Sequence, residues 1–194
     1  MLRTSIEAAS HKALRPTTAL GSAVRVLTLA GATLTTGLVA GVFYAYEVSV
    51  NLSLAAQPDA SYVATMNAIN QRIRNPLFYL SYFGAAVFLL AALAAHSPRP
   101  RSGRFLLVAV ACALYVGGGF LLTAFVNVPL NDELARVSAE ASPGELARAR
   151  AAFEDTWNFW NGVRAVFSVL AFLALVGAGL LPENRGPRAG DRSR

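Results

Sequence analysis

Trp157, Trp160, Asn161, Arg164 and Ser168 stand at i, i+3, i+4, i+7 and i+11, a spacing that puts them on one face of a helix. A guanidinium flanked by an amide and two indoles is a set able to line a cavity, provided the stripe faces other protein. Two further stripes carry similar side chains. Tyr44, Glu47 and Asn51 fall at i, i+3 and i+7, and Tyr115, Gly119, Thr123, Asn127 and Asn131 follow one another at four-residue steps. Asn75, Tyr79 and Phe83 form a shorter series at the same step.

These stripes lie at the ends of apolar runs. Roughly 26–46, 76–95, 105–128 and 163–181 are each long enough for a bilayer crossing of about 20 residues. The chain is 194 residues long, with 55% hydrophobic and 14% charged residues. It therefore reads as one all-α integral membrane domain, a four-helix bundle with two short outer helices, because lipid requires every backbone group to be satisfied internally. The expected division is a tail over 1–24, a four-span domain over 25–182 and a second tail over 183–194.

The net charge of +6 does not point to nucleic acid, since no aromatic residues interleave the arginines. Arg3, Lys12, Arg15 and Arg25 precede the first span; Arg99, Arg101 and Arg104 fill the second connection; Arg185, Arg188, Arg192 and Arg194 follow the last span. The positive-inside rule places both termini in the cytoplasm of a multi-pass cell-membrane protein. The segment before the first span does not read as a cleavable signal, because the run that follows exceeds an h-region.

Chain direction then gathers the stripes. Spans one and three end outside, and spans two and four begin there. Glu47, Asn51, Asn75, Tyr79, Thr123, Asn127, Asn131, Trp157, Asn161 and Arg164 fall at one membrane face, around a single expected outer-leaflet cavity that also takes Tyr44 and Trp160. Each residue has a plainer reading. Tyr44, Tyr79, Trp157 and Trp160 suit the interfacial aromatic belt, Asn75 suits a helix N-cap before Pro76, and Arg164 can snorkel. Glu47 can sit in solvent. Asn127 and Asn131 can satisfy carbonyls freed by Pro129, where the third span is expected to bend or end. If Arg164 points inward, it needs acceptors, and Glu47, Asn127 and Asn131 lie at matching depth.

Other features are structural. Gly37-x-x-x-Gly41 is a close-packing pattern. Tyr62, Met66, Ile69 and Ile73 make one apolar face of an outer helix, and a second outer helix is expected over 143–155. Since each pair of spans is joined through an outer helix, the halves suggest a duplicated two-span unit. The lone Cys112 reads as an apolar packing residue. His11 and His96 lie at the cytoplasmic side, so no histidine-rich metal or haem site is expected. Asp132 and Glu133 suit loop charge pairs, and no phosphate loop, dinucleotide fingerprint or nucleophile elbow is present.

Gly41–Val50 (GVFYAYEVSV), Met66–Gly84 with its Asn75-Pro76, Asn127–Leu134 (NVPLNDEL) and Trp157–Arg164 (WNFWNGVR) together resemble the anthrone oxygenase-like family of small membrane proteins, once catalogued as a domain of unknown function. The resemblance covers about residues 26–181. Two positions depart from it: Leu52, where relatives often have Pro, and Gly162, where they often have His. The family is associated with O2-dependent oxidation of anthrones to anthraquinones in aromatic polyketide pathways, without metal or flavin. Most bacterial members have no assigned reaction, so enzymatic activity stays open here. The family supplies no assigned catalytic residues to carry over; for that chemistry the residues themselves offer Arg164, Asn161 and Asn127 to stabilise charge, and Glu47 as the acid near enough to a span to act as base. Tyr44, Asn75, Tyr79, Thr123, Asn131, Trp157 and Trp160 are the candidate substrate contacts. The implied partners are the lipid bilayer and a small hydrophobic aromatic ligand, with no cofactor, no metal and no nucleic acid. The alternatives are a non-catalytic bundle that binds lipid, a hydrophobic ligand or a membrane partner, and, less well matched, an exporter. Oligomeric state is not legible.

Overall fold

The computed structural model describes residues 15–138 and 140–182, with side chains from residue 20 onward; of the expected tails over 1–24 and 183–194, residues 1–14 and 183–194 fall outside the described residues. The first helix, α1 (Arg15–Ala45), passes through a π-helical turn, Tyr46–Val50, into α2 (Asn51–Ala55). A surface helix, α3 (Asp59–Arg72), leads to α4 (Pro76–His96). Then α5 (Gly103–Ala113) widens into π segments at Leu114–Leu121 and Thr123–Asn127 before α6 (Val128–Leu134). Last comes α7 (Pro143–Leu180). Among the described residues there is no strand. Four helical stretches, Leu20–Ala55, Pro76–His96, Gly103–Leu134 and Pro143–Leu180, are long and apolar enough to cross a membrane.

Local chemistry sets the helix starts. The Asn75 side chain accepts from the N–H groups of Leu77 and Phe78, both at 3.1 Å, with Pro76 at the first helical position where no N–H is needed. Ser102 accepts from the N–H of Phe105 at 3.2 Å. Glu145 reaches back to accept from the Ser142 N–H at 2.9 Å, a capping box that opens α7.

The four spans form an up-and-down ring in which α1 packs on α4 and α7, and α5 packs on α4 and α7. Small side chains let them approach: Ala32, Ala85, Ala92, Ala111, Ala171 and Ala178 are wholly buried. In lipid such interfaces rest on close packing rather than on hydrophobic exclusion. A Cβ on Gly118 would lie 2.2 Å from Phe167, so α7 passes directly over that backbone. Of the Gly37-x-x-x-Gly41 pair, only Gly37 is a close approach, against Phe172 of α7; nothing lies within 4 Å of a Cβ at Gly41. Large apolar side chains such as Leu77, Leu80, Val87, Phe125 and Leu173 point outward, as a lipid-facing surface requires.

Three expectations change. Residues 15–24, expected in the tail, are helical from Arg15. The second outer helix is not separate: Pro143–Leu180 is one helix of 38 residues, about 57 Å at 1.5 Å per residue. Its N-terminal half packs in a cap with α2 and α3, where Leu54, Tyr62, Met66, Leu146, Phe153 and Trp157 share one core. Nor does Pro129 end the third span. The Val128 N–H bonds back to the Thr123 carbonyl in π register, and the chain re-enters α geometry with the proline in the first turn of α6, where its missing donor is tolerated.

The π turns recur at the same place in both halves, Tyr46–Val50 before α2 and Thr123–Asn127 before α6, in keeping with a duplicated unit. They also straighten the third-span stripe. Residues four apart drift about 40° per step around an α-helix of 3.6 residues per turn; wider turns take up that drift. Tyr115, Gly119, Thr123 and Asn127 are consequently all buried.

Candidate functional site

Arg164 is the centre of the half of the bundle that adjoins α2 and α3. It is 5% exposed, at the start of the apolar run of α7, and a buried cation without partners would be expensive there. Its Nε and Nη2 both donate to Asn161 Oδ1, at 3.0 and 2.7 Å, and Nη1 donates to Thr123 Oγ1 at 3.4 Å. The guanidinium carbon sits 4.2 Å from the centre of the Phe43 ring and 5.0 Å from that of Trp157, so aromatic faces cover the charge where water cannot. The expected acceptors were Glu47, Asn127 and Asn131. The observed ones are Asn161 and Thr123, because the amide one turn back on the same helix is nearer than any side chain from another span.

Glu47 enters one layer further out. The Asn161 Nδ2 donates to a Glu47 carboxylate oxygen and to the Phe43 carbonyl at 3.3 Å. Its amide orientation is therefore fixed: nitrogen toward α1, oxygen toward Arg164. A chain of three side chains, Glu47–Asn161–Arg164, runs from the π turn after α1 into the bundle. A Cβ at Gly162 would lie 3.5 Å from the Glu47 carboxylate, so a side chain at position 162 would address Glu47.

On its far side, Arg164 forms part of the wall of a cavity of about 360 Å³, a size in the ordinary small-ligand range. The wall is largely aromatic, with Phe43, Tyr46, Phe78, Tyr82, Phe120 and Trp157. Tyr82 stacks between Phe78 and Phe120, with centroids at 5.6 and 4.8 Å and planes within 22°, and its hydroxyl is held by the Phe120 carbonyl at 2.8 Å. Three buried polar atoms in this wall, Asn70 Nδ2, Asn131 Oδ1 and Trp157 Nε1, have no hydrogen-bond partner in the protein. Orphaned buried groups are costly and call for an occupant. No acid and no histidine is in the described wall; Arg74, ion-paired to Asp132 at 2.7 Å, stands at its rim.

The sequence-derived candidates thus divide into groups. Arg164, Thr123, Asn131, Trp157 and Tyr79 line the cavity. Glu47 and Asn161 lie behind the wall, as does Asn127, whose Nδ2 donates to the Trp157 carbonyl at 3.5 Å. Three candidates are displaced. Tyr44 is 57% exposed on the outside of α1. Trp160 is half-buried and turned to the Phe159 ring, 5.1 Å away. Asn75 uses its side chain to cap α4. The first two are on the surface of the bundle rather than in the cavity wall.

Among the wall residues absent from the sequence reading are Phe43, Tyr46, Asn70, Phe78, Tyr82 and Phe120. Asn70 had a visible signal, a polar residue one turn after Met66 on the buried face of α3. The others are aromatics in apolar runs, and nothing in such a run marks which ring faces inward.

Among comparisons with known proteins, a family model described as anthrone oxygenase matches residues 76–174. That stretch holds α4, the third span and most of α7, including Arg164. No curated protein and no solved structure matches the chain.

Proposed function

The chain belongs to the anthrone oxygenase family, and on that premise we propose that it oxidises an anthrone-like aromatic polyketide with O2 in the Arg164 cavity, without a cofactor. The observation that carries this reading is the conjunction in one wall of a buried guanidinium, three orphaned polar atoms and stacked aromatic rings. A flat polycyclic ligand would lie along the side of the Phe78–Tyr82–Phe120 stack that faces the cavity, with its oxygens toward Arg164, Asn70 and Asn131.

The chemistry follows from the substrate class. An anthrone carries a CH2 between two aryl rings, and loss of one proton gives a phenolate delocalised onto the carbonyl oxygen. Arg164 donates to that oxygen, stabilising the charge as it forms in a site with little water to screen it. The electron-rich carbon then reduces O2, forming a carbon-bound peroxide. Loss of the second hydrogen as a proton breaks the O–O bond and leaves a ketone and water, so CH2 and O2 become C=O and H2O. With no acid in the wall, Glu47 acts through Asn161 as a positioning residue, and the first proton leaves to water.

The test is O2 consumption and anthraquinone absorbance with purified protein and a 1,8-dihydroxyanthrone, comparing the protein with Arg164→Gln. Loss of one oxyanion donor is expected to lower turnover by about 10²–10³-fold. Oxidation no faster than in protein-free detergent would end the enzymatic reading and leave a hydrophobic-ligand binder.

A further inference from the structure

The opposite end of the bundle holds a second hollow, of about 240 Å³, with Arg25, His96, Arg99, Ser102 and Arg104 in its wall. An apolar groove between α1 and α7, with Leu29, Ala30, Leu34, Gly37 and Phe172 along it, runs from there toward the membrane centre; Arg104 belongs to both. We propose that hollow and groove together bind one anionic phospholipid, its phosphate in the hollow and an acyl chain along the groove.

Two features of the hollow point to a ligand. His96 is 6% exposed, with Nδ1 against the Ala92 carbonyl at 2.8 Å. That contact makes Nδ1 the protonated nitrogen. Its Nε2 is buried in the same wall without a partner, an acceptor for a headgroup hydroxyl. Arg104 is fixed at the junction, because Nε donates to the Ala178 carbonyl at 3.1 Å and Nη2 to the Leu181 carbonyl. It caps α7 and holds its charge where a headgroup would meet the acyl region. Ser102 and Gly103 add the N-terminus of α5 to the wall, the end of a helix that favours anions.

Charge selects the lipid class. The connection between α4 and α5, SPRPRSGR, has three arginines and no acid. Basic pockets between spans suit anionic headgroups, and a neutral headgroup brings no net charge to this one. A free phosphate shares the headgroup chemistry but leaves the groove empty.

The experiment uses the full chain in detergent with phosphatidylglycerol, phosphatidylcholine of the same acyl chains, and inorganic phosphate, read by thermal unfolding and by lipid retention in native mass spectrometry. Phosphatidylglycerol is expected to bind one per chain, about tenfold tighter than phosphatidylcholine, and to raise the unfolding temperature where phosphate at equal concentration does not. His96→Gln attacks the hollow. Ala30→Phe fills the groove from an exposed position outside the core. Both are expected to lose phosphatidylglycerol retention while keeping the lipid-free unfolding temperature. Equal retention of the two lipids, a phosphate effect as large as that of phosphatidylglycerol, or undiminished retention by both variants would overturn the site.

Discussion

Asn161 Oδ1 accepts from two nitrogens of Arg164, one turn along the same helix, while the other end of the amide is tied to Glu47 and to the Phe43 carbonyl. The guanidinium is therefore oriented by a neutral side chain, and the carboxylate balances its charge through that intermediary. Hydrogen bonds to charged groups contribute about 1.5–3 kcal/mol each. Asn161→Leu is expected to cost at least that, seen as a clear fall in unfolding temperature in detergent, since it removes the amide that Arg164 and Glu47 share and leaves Arg164 with Thr123 as its hydrogen-bond acceptor. Unchanged stability would show that water replaces the amide freely.

Glu47→Gln separates positioning from proton transfer. A glutamine keeps an oxygen for the Asn161 amide to meet but cannot take a proton. If Glu47 positions, anthrone turnover falls by no more than about tenfold, since the hydrogen-bonded geometry survives. A loss of about 10³-fold or more, with Asn161→Leu less affected, would make Glu47 the base.

Arg164→Lys tests the fork. Lysine preserves the charge but cannot donate from two nitrogens to one amide oxygen while lying over the Phe43 face. Turnover and stability are both expected to drop, by more than an Arg74→Lys change at the exposed rim. Equal effects would make Arg164 a generic cation.

Much of this was readable from residue order. Run lengths gave four spans, and chain direction placed Glu47, Thr123, Asn127 and Arg164 at one end. What escaped depends on rotation about helix axes. Tyr44 and Glu47 share a stripe in α geometry, yet the π turn beginning at Tyr46 turns Tyr44 out and Glu47 toward Asn161. Nothing in YEVSV announces an extra residue per turn. Likewise the polar composition of 143–155 suggested a break before the last span, but Phe153 and Trp157 continue a buried face into it, and cap packing keeps the helix unbroken. Which rings in an apolar span meet lipid and which meet a cavity is decided by neighbouring helices.

Gly118 and Gly41 make a matched pair for span packing. A methyl group at Gly118 meets Phe167 as close as its Cβ, 2.5 Å away, so α7 must move rather than a ring tip. Gly118→Ala is expected to destabilise by about 1–3 kcal/mol, whereas Gly41→Ala, with open space, is neutral. Rescue of Gly118→Ala by Phe167→Ala would confirm the contact; equal unfolding temperatures for the two single variants would refute it.

Arg150 ties the cap to the bundle. Its Nε donates to Glu154 at 2.6 Å, Nη1 to Asp59 at 3.0 Å and to the Gln57 carbonyl at 2.7 Å, and Nη2 to the Ala55 carbonyl at 2.9 Å. The guanidinium also lies 4.5 Å from the centre of the Tyr62 ring. One side chain thus closes the turn between α2 and α3 onto α7. Isolated surface ion pairs are worth about 0–1 kcal/mol, but here two carbonyls at a chain reversal share the cation, and no lysine can reach all of them. Arg150→Lys is expected to lose most of what Arg150→Ala loses. Tyr62 gives a second readout. Burial raises its phenol pKa, the Glu154 charge adds to the rise and the Arg150 charge opposes it. The folded state therefore holds a proton that the unfolded chain releases near pH 10, about the ordinary tyrosine value. The associated stability is complete below that pH and is lost as pH rises above it. The decline in unfolding temperature above pH 10 should steepen in Arg150→Ala, where the opposing cation is gone. If Arg150→Ala unfolds at the wild-type temperature and shows the same alkaline limb, the cap is held by its apolar core alone.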